Sequence, residues 1–188
     1  MMIKFARFNI YYLPAVLWLL FVSGCQSPEG KKAREEKKQV TLIQFHVEVY
    51  QDGTPSNEPV PVFREKPMYI NVDKSPFADT SNVESARVVD TLGGGFAIQV
   101  KLDWEGTQLL DGVTTGHQGR HIVVFCDFGQ KRWLAAPAIN KRISDGVIIF
   151  TPDATREETE RIVRGLNNLV KKEKKRDSLF DEAGEDRK

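Results

Sequence analysis

Cysteine is nearly absent from this sequence: Cys25 and Cys126 are the only two. A disulfide-stapled scaffold is thereby excluded, and a hydrophobic core must hold the fold. Histidine is as scarce, with three residues, His46, His117 and His121, which leaves little material for a metal centre. Charge of one sign is lacking too, since 27 Lys and Arg stand against 26 Asp and Glu. Affinity for a polyanion needs a basic excess on one face, so no electrostatic case for a nucleic-acid partner exists. Nor is there a long hydrophobic run. The apolar stretch from Ile10 to Val22 is short of the roughly 18 residues expected of a membrane-spanning helix.

What is present begins with that stretch. It follows Lys4 and Arg7 and ends in Val22-Ser23-Gly24-Cys25, a bacterial lipobox. In this reading residues 1–24 are a cleaved signal peptide, the Cys25 thiol carries a lipid of the palmitate class, and the chain begins at an acylated cysteine. An ordinary secretory signal or an uncleaved anchor is the alternative. Cleavage removes two basic residues and no acid, turning a formal net charge of +1 into a slight acidic balance. Gln26, and not aspartate, follows the cysteine, which favours the periplasmic side of the outer membrane within the cell envelope.

The remaining chain divides by composition. Residues 25–39 form a charged tether, rich in Lys and Glu and without a bulky apolar side chain, and residues 171–188 form a similarly charged tail that frays or extends the last helix. Between them, 40–170 reads as one domain. Thr41, Ile43, Phe45, Val47 and Val49 alternate with Leu42, Gln44, His46 and Glu48 at the period of a strand with one face buried. The prolines from Pro55 to Pro67 predict loop or edge, and Pro67 to Val72 a short strand. Ala86 to Asp90 and Phe96 to Leu102 flank Gly93-Gly94-Gly95 and predict a hairpin. A helix over 106–115 follows, with Leu109, Leu110 and Val113 at helical spacing. Strands are expected over 121–128, 133–135 and 147–150. The last helix opens with a capping box, Thr155 and Glu158, with Glu157 suited to the helix dipole. Ile162, Val163, Leu166, Leu169 and Val170 then form one apolar stripe. The fold class expected is α+β, a largely antiparallel sheet with two helices packed on one face.

Each chemical constellation meets a plainer reading. The triple glycine precedes a strand and not the helix N-terminus that a phosphate cradle requires, so it reads as a turn. His117 and His121 have the spacing of two ligands on a helix, but Gly119 lies between them and His121 opens a strand, so no metal is expected. Cys126 with His117 or His121 and Asp127 is the sharpest enzymatic reading, a thiol-dependent hydrolase. Adjacent residues on a strand face opposite ways, however, and Cys126 reads more simply as a small buried hydrophobe. Trp104 and Trp133 read as core or rim residues before ligand platforms.

A longer pattern remains. Gly106 before a helix, Thr114-Thr115, Gly119-Arg120, a strand ending in Asp127, Ala136-Pro137-Ala138-Ile139, then Ile143, Gly146, Ile148 and Thr151 before a Glu-rich helix resemble the first periplasmic domain of the protein-export subunit SecD, in particular its head subdomain. Val83 to Val88 before a glycine hairpin is similar as well. The likeness is best over residues 83–170. It implies a non-enzymatic domain, without cofactor, metal or catalytic residue, that meets exported polypeptide or an envelope protein complex. SecD subunits continue into six membrane-spanning helices. No long apolar run follows Cys25 here, so the expectation is a stand-alone, lipid-tethered accessory module; a structural envelope lipoprotein is the remaining alternative.

Overall fold

The computed structural model describes residues 35, 36, 38–51 and 53–185, with side chains described as far as Arg176. The expected signal peptide, Cys25 and most of the expected 25–39 tether lie outside these residues. The fold lies within the unit Glu36–Lys188. Its strands are β1 (Leu42–Val47), β2 (Asn57–Val62), β3 (Met68–Asp73), β4 (Ala78–Asp79), β5 (Val83–Asp90), β6 (Phe96–Leu102), β7 (Ile122–Asp127), β8 (Lys131–Ala135) and β9 (Val147–Phe150). A one-turn 3-10 helix, Thr80–Asn82, precedes β5, and the two long helices are α1 (Trp104–Gly116) and α2 (Arg156–Glu185). Among the described residues no helix is long and apolar enough to cross a membrane.

Among the described residues all strand pairing is antiparallel, and it builds three sheets of order β4-β1-β7-β8, β2-β3 and β5-β6-β9. The architecture is α+β, as the alternation of strand and helix periods predicts. One core joins the four-stranded sheet, the three-stranded sheet and both helices. Ile43 and Phe45 of β1, Ile98 and Val100 of β6, Leu110 of α1 and Ile162 and Leu166 of α2 are all fully buried in it. Each such side chain stabilises the fold by roughly 1.5–3 kcal/mol relative to exposure.

β7 explains the unbroken apolar run Ile122-Val123-Val124. Ile122, Val124 and Cys126 face the main core, while Val123 faces the other way into a second, smaller core with Val60, Val62, Ile70 and Val72 of the β2–β3 hairpin. A strand covered on both faces has no reason to alternate. The prolines follow the same logic: Pro59 and Pro61 lie inside β2, whose only strand neighbour is β3, so neither removes a bond from a central ladder. This stretch is therefore an edge strand and not a loop. β1 is also covered on both faces, because His46 is buried beneath the hairpin opposite Phe45.

The helix starts are set by side chains. Asp103 caps α1, its carboxylate accepting from Gly106 N–H at 2.7 Å, one turn upstream of the start that the apolar spacing suggests. At α2 the capping box forms: Glu158 N–H donates to Thr155 Oγ1 at 3.2 Å, and Thr155 N–H to Glu158 Oε2 at 2.9 Å. Ile162, Leu166 and Val170 of the stripe are buried, whereas Leu109 of α1 is exposed. α2 runs on through the charged segment to Glu185. Between β5 and β6, Gly93 and Gly94 take φ of 101° and 84°, and Thr91 N–H donates to Gly95 O at 2.9 Å. The triple glycine is a turn.

Candidate functional site

The loop after β2 reaches across to the start of α2. Phe63 holds φ at 70°, a left-handed conformation that a bulky side chain avoids, at a cost on the order of 1–3 kcal/mol. The next residue holds it there: Arg64 N–H donates to Asp153 Oδ2 at 2.8 Å, and Arg64 Nε to the same oxygen at 3.3 Å. Phe63 thereby stands over a cleft of about 540 Å³. The cleft lies between the segment continuing β8, Ala135 to Pro137, and β9 with its continuation, Ile149 to Asp153. Ala97 of β6 contributes to its wall.

Below the cleft, Glu158 holds the loop, β8 and α2 together. Its carboxylate is 3.4 Å from Arg132 and 3.8 Å from Arg64. The N–H of Thr155, followed by the charges of Arg132 and Arg64, holds this carboxyl below the usual carboxylate range against the opposing effect of burial. Arg132 and Arg161 both place their guanidinium carbons over the Phe128 ring, at 5.0 and 5.1 Å from its centre. In the cleft wall itself Asp153 is the one ionisable residue, and it is already paired. The wall offers apolar surface, Thr91 and Thr151 hydroxyls and main chain, but no nucleophile beside a base.

The residues singled out by sequence lie elsewhere and are not brought together. Cys126 is fully buried in the main core, where burial first, and the neighbouring Asp127 second, push its thiol up to about 12. A thiol held protonated and without access to solvent is no nucleophile. His117 is the C-terminal cap of α1, its Nδ1 3.0 Å from Val113 O, and His121 sits in a bridge to Ala138 with Nδ1 2.6 Å from Glu48 Oε2. The two do not share a helical face. Among the described residues no cluster of three or more His, Cys, Asp or Glu is placed to hold a metal ion. Trp133 packs on the second core, with its ring 5.0 Å from that of His46 and 5.1 Å from that of Phe125. Trp104 is neither core nor rim: it opens α1 with 79% of its surface exposed.

No protein-family model and no curated sequence matches the chain. Solved structures do. The structure described as a membrane component SecDF that enhances protein export superposes with a TM-score of 0.54 at 15% identity, over 78% of this chain and 71% of that one. The fold is SecDF-like. SecDF in its super-membrane-facing form gives a TM-score of 0.52 at 16% identity, over 76% of this chain but 21% of that one, so the chain spans about a fifth of the larger protein's length. The SecDF likeness takes in more of the chain than residues 83–170, which carry the resemblance in sequence.

Sequence reasoning missed the cleft in this SecDF-like fold, although two of its signals were in view. Ala136-Pro137 and Thr151 belong to the SecD-like pattern and line the cleft. Phe63, Arg64 and Asp153 had no signal, because a positive φ at phenylalanine and an ion pair across the fold are tertiary facts.

Proposed function

We propose that this chain is a lipid-anchored, non-enzymatic accessory module of the cell envelope that binds polypeptide in the service of protein export. The observation that carries the proposal is the SecDF-like fold presenting an apolar cleft with no reacting group in its wall. The burial of Cys126 argues against the thiol hydrolase. The lipobox supports acylation at Cys25, Gln26 supports the outer membrane, and the charged residues up to 39 support a tether that holds the domain off the lipid surface. In the resembling family the first periplasmic domain touches translocating polypeptide.

The test is in-cell crosslinking of the tagged, full-length protein, with Cys25→Ser in parallel. Translocase subunits or exported precursors are expected among the captured proteins, and the serine variant is expected in the soluble fraction. Capture of one defined envelope assembly alone sinks the export role and leaves a structural lipoprotein. A variant that stays membrane-bound sinks the acyl anchor.

A further inference from the structure

The cleft has main chain on both sides, and the register shows which groups face into it. In the three-stranded sheet, Leu102 N–H donates to Gly146 O at 2.9 Å, and Val100 and Ile98 stand opposite Ile148 and Phe150. Hydrogen-bonded positions alternate along an antiparallel ladder. The N–H and C=O of Ile149 therefore point away from β6. In the four-stranded sheet, Val124 stands opposite Ala135, and Ile122 N–H donates to Pro137 O at 3.0 Å. By the same alternation the N–H and C=O of Ala136 point away from β7. Ile149 and Ala136 both line the cleft, and neither has a main-chain hydrogen bond on that side among the described residues.

The two edges meet once. Asp153 N–H donates to Leu134 O at 2.7 Å, one contact of the kind that would join β8 and β9 into a continuous sheet, and from there the edges part around the cleft. The β8 edge is bounded by Lys131 and Pro137, whereas the β9 edge is short but otherwise open. β9 reads Val-Ile-Ile-Phe, with no Lys, Pro or bulge, and Ile149 leaves 55% of its surface exposed. An open apolar edge of this kind invites another strand.

We infer that the cleft is a strand slot: an extended polypeptide from another molecule inserts between β8 and β9 and pairs its main chain with Ile149 and Ala136. This rests on the polypeptide-binding reading and names the place and mode of contact. The occupant's chemistry follows from the wall. Alternating donors and acceptors on an edge are matched by an extended main chain. Ala97, Ala135 and Ala136 leave room for side chains, while Phe63, Phe150 and Pro152 favour apolar ones. Asp153 is already paired with Arg64, so the inserted residues carry no charge. The slot selects extended, uncharged segments and is indifferent to their order, which suits a binder of many unfolded chains.

The experiment uses the full-length protein in detergent, with reduced, carboxymethylated α-lactalbumin as a permanently unfolded probe. Hydrogen–deuterium exchange is followed in the peptides that contain Ala136 and Ile149. Ile149→Pro removes the outward N–H, which an edge strand tolerates, together with a side chain of the cleft wall, and Ala136→Phe crowds the opposite wall, where Ala136 also packs on the second core. The slot predicts slowed exchange in both peptides with probe, and binding weakened roughly tenfold by Ile149→Pro, the loss of about one net hydrogen bond. Ala136→Phe gives a loss at least as large, and it decides the matter should the proline variant not fold. Tight binding with neither protection nor an effect of the variants overturns the slot and leaves the polypeptide-binding reading standing. No binding at all overturns both. Protection that instead rises with the protein's own concentration, together with dimer formation, makes the occupant a second copy and overturns the assignment.

Discussion

His46 Nδ1 lies 2.7 Å from the main-chain oxygen of Asp73 and ties the central strand β1 to the outer hairpin strand β3. A carbonyl only accepts, so Nδ1 carries the proton. The ring is 4% exposed and meets Trp133 edge-on at 5.0 Å. One side chain thus supplies both the polar tie and part of the packing that seat the β2–β3 hairpin, and with it the Phe63 loop over the cleft.

Removing that side chain is expected to loosen the hairpin before the rest of the fold. His46→Ala leaves a cavity and orphans the Asp73 carbonyl, together worth roughly 2–4 kcal/mol. Chemical denaturation reads the loss. Native-state exchange is expected to show it first in Asn57–Asp73, and equal loosening of β5 and β6 would contradict this reading.

Gly165 sets helix propensity against contact. Alanine in mid-helix is favoured over glycine by about 1 kcal/mol. A Cβ at this position, however, meets the Thr41 hydroxyl and lies 2.9 Å from the Thr41 main-chain nitrogen, which cannot turn aside. Overpacking costs about 1–3 kcal/mol and wins. Gly165→Ala is expected to lower thermal stability, with the largest rise in exchange where α2 crosses β1. A stabilised variant would show that α2 shifts without penalty.

The Cys126 thiol should stay silent in the folded protein. With its pKa pushed up to about 12, iodoacetamide at pH 8 is expected to label it only as fast as the chain unfolds. The same shift has a sign at high pH. The unfolded thiol ionises near the ordinary value of 9.0 and the folded one does not, so stability is present below that pH and drains away as pH rises from 9 towards 12. Labelling faster than unfolding would mean that the core opens locally at β7.

Glu158 acts at the other end of the scale. Its carboxyl is held below the ordinary value of 4.5, chiefly by the Thr155 N–H. A depressed carboxyl contributes stability above the unfolded value and loses it as pH falls through the folded one. Stability is therefore expected to decline below about pH 4.5, and less steeply in Glu158→Gln. Equal slopes in the two proteins would assign the acid loss to other carboxylates.

Much of the fold was legible because its signals are local. β9, the glycine turn and the capping box stand where period, turn chemistry and capping put them, since each depends on residues within a few positions. Boundaries and faces were read less well. Asp103 starts α1 earlier than its apolar spacing implies, and Trp104 is exposed although large and aromatic. For β2 the prolines left loop and edge both open, because a strand tolerates them only at an edge, and edge position is a property of the assembled sheet.

The sequence by itself determined the α+β class and the antiparallel hairpins, because apolar period, turn residues and helix caps act over one or two turns of chain. It also carried the SecD-like pattern that the SecDF-like fold bears out. Only the tertiary structure decided that the strands divide among three sheets, that His46 is buried, and that β8 and β9 leave a cleft between open edges. Those facts rest on contacts such as Arg64 to Asp153, 89 residues apart, and no local pattern records which distant residues the packed core will bring together.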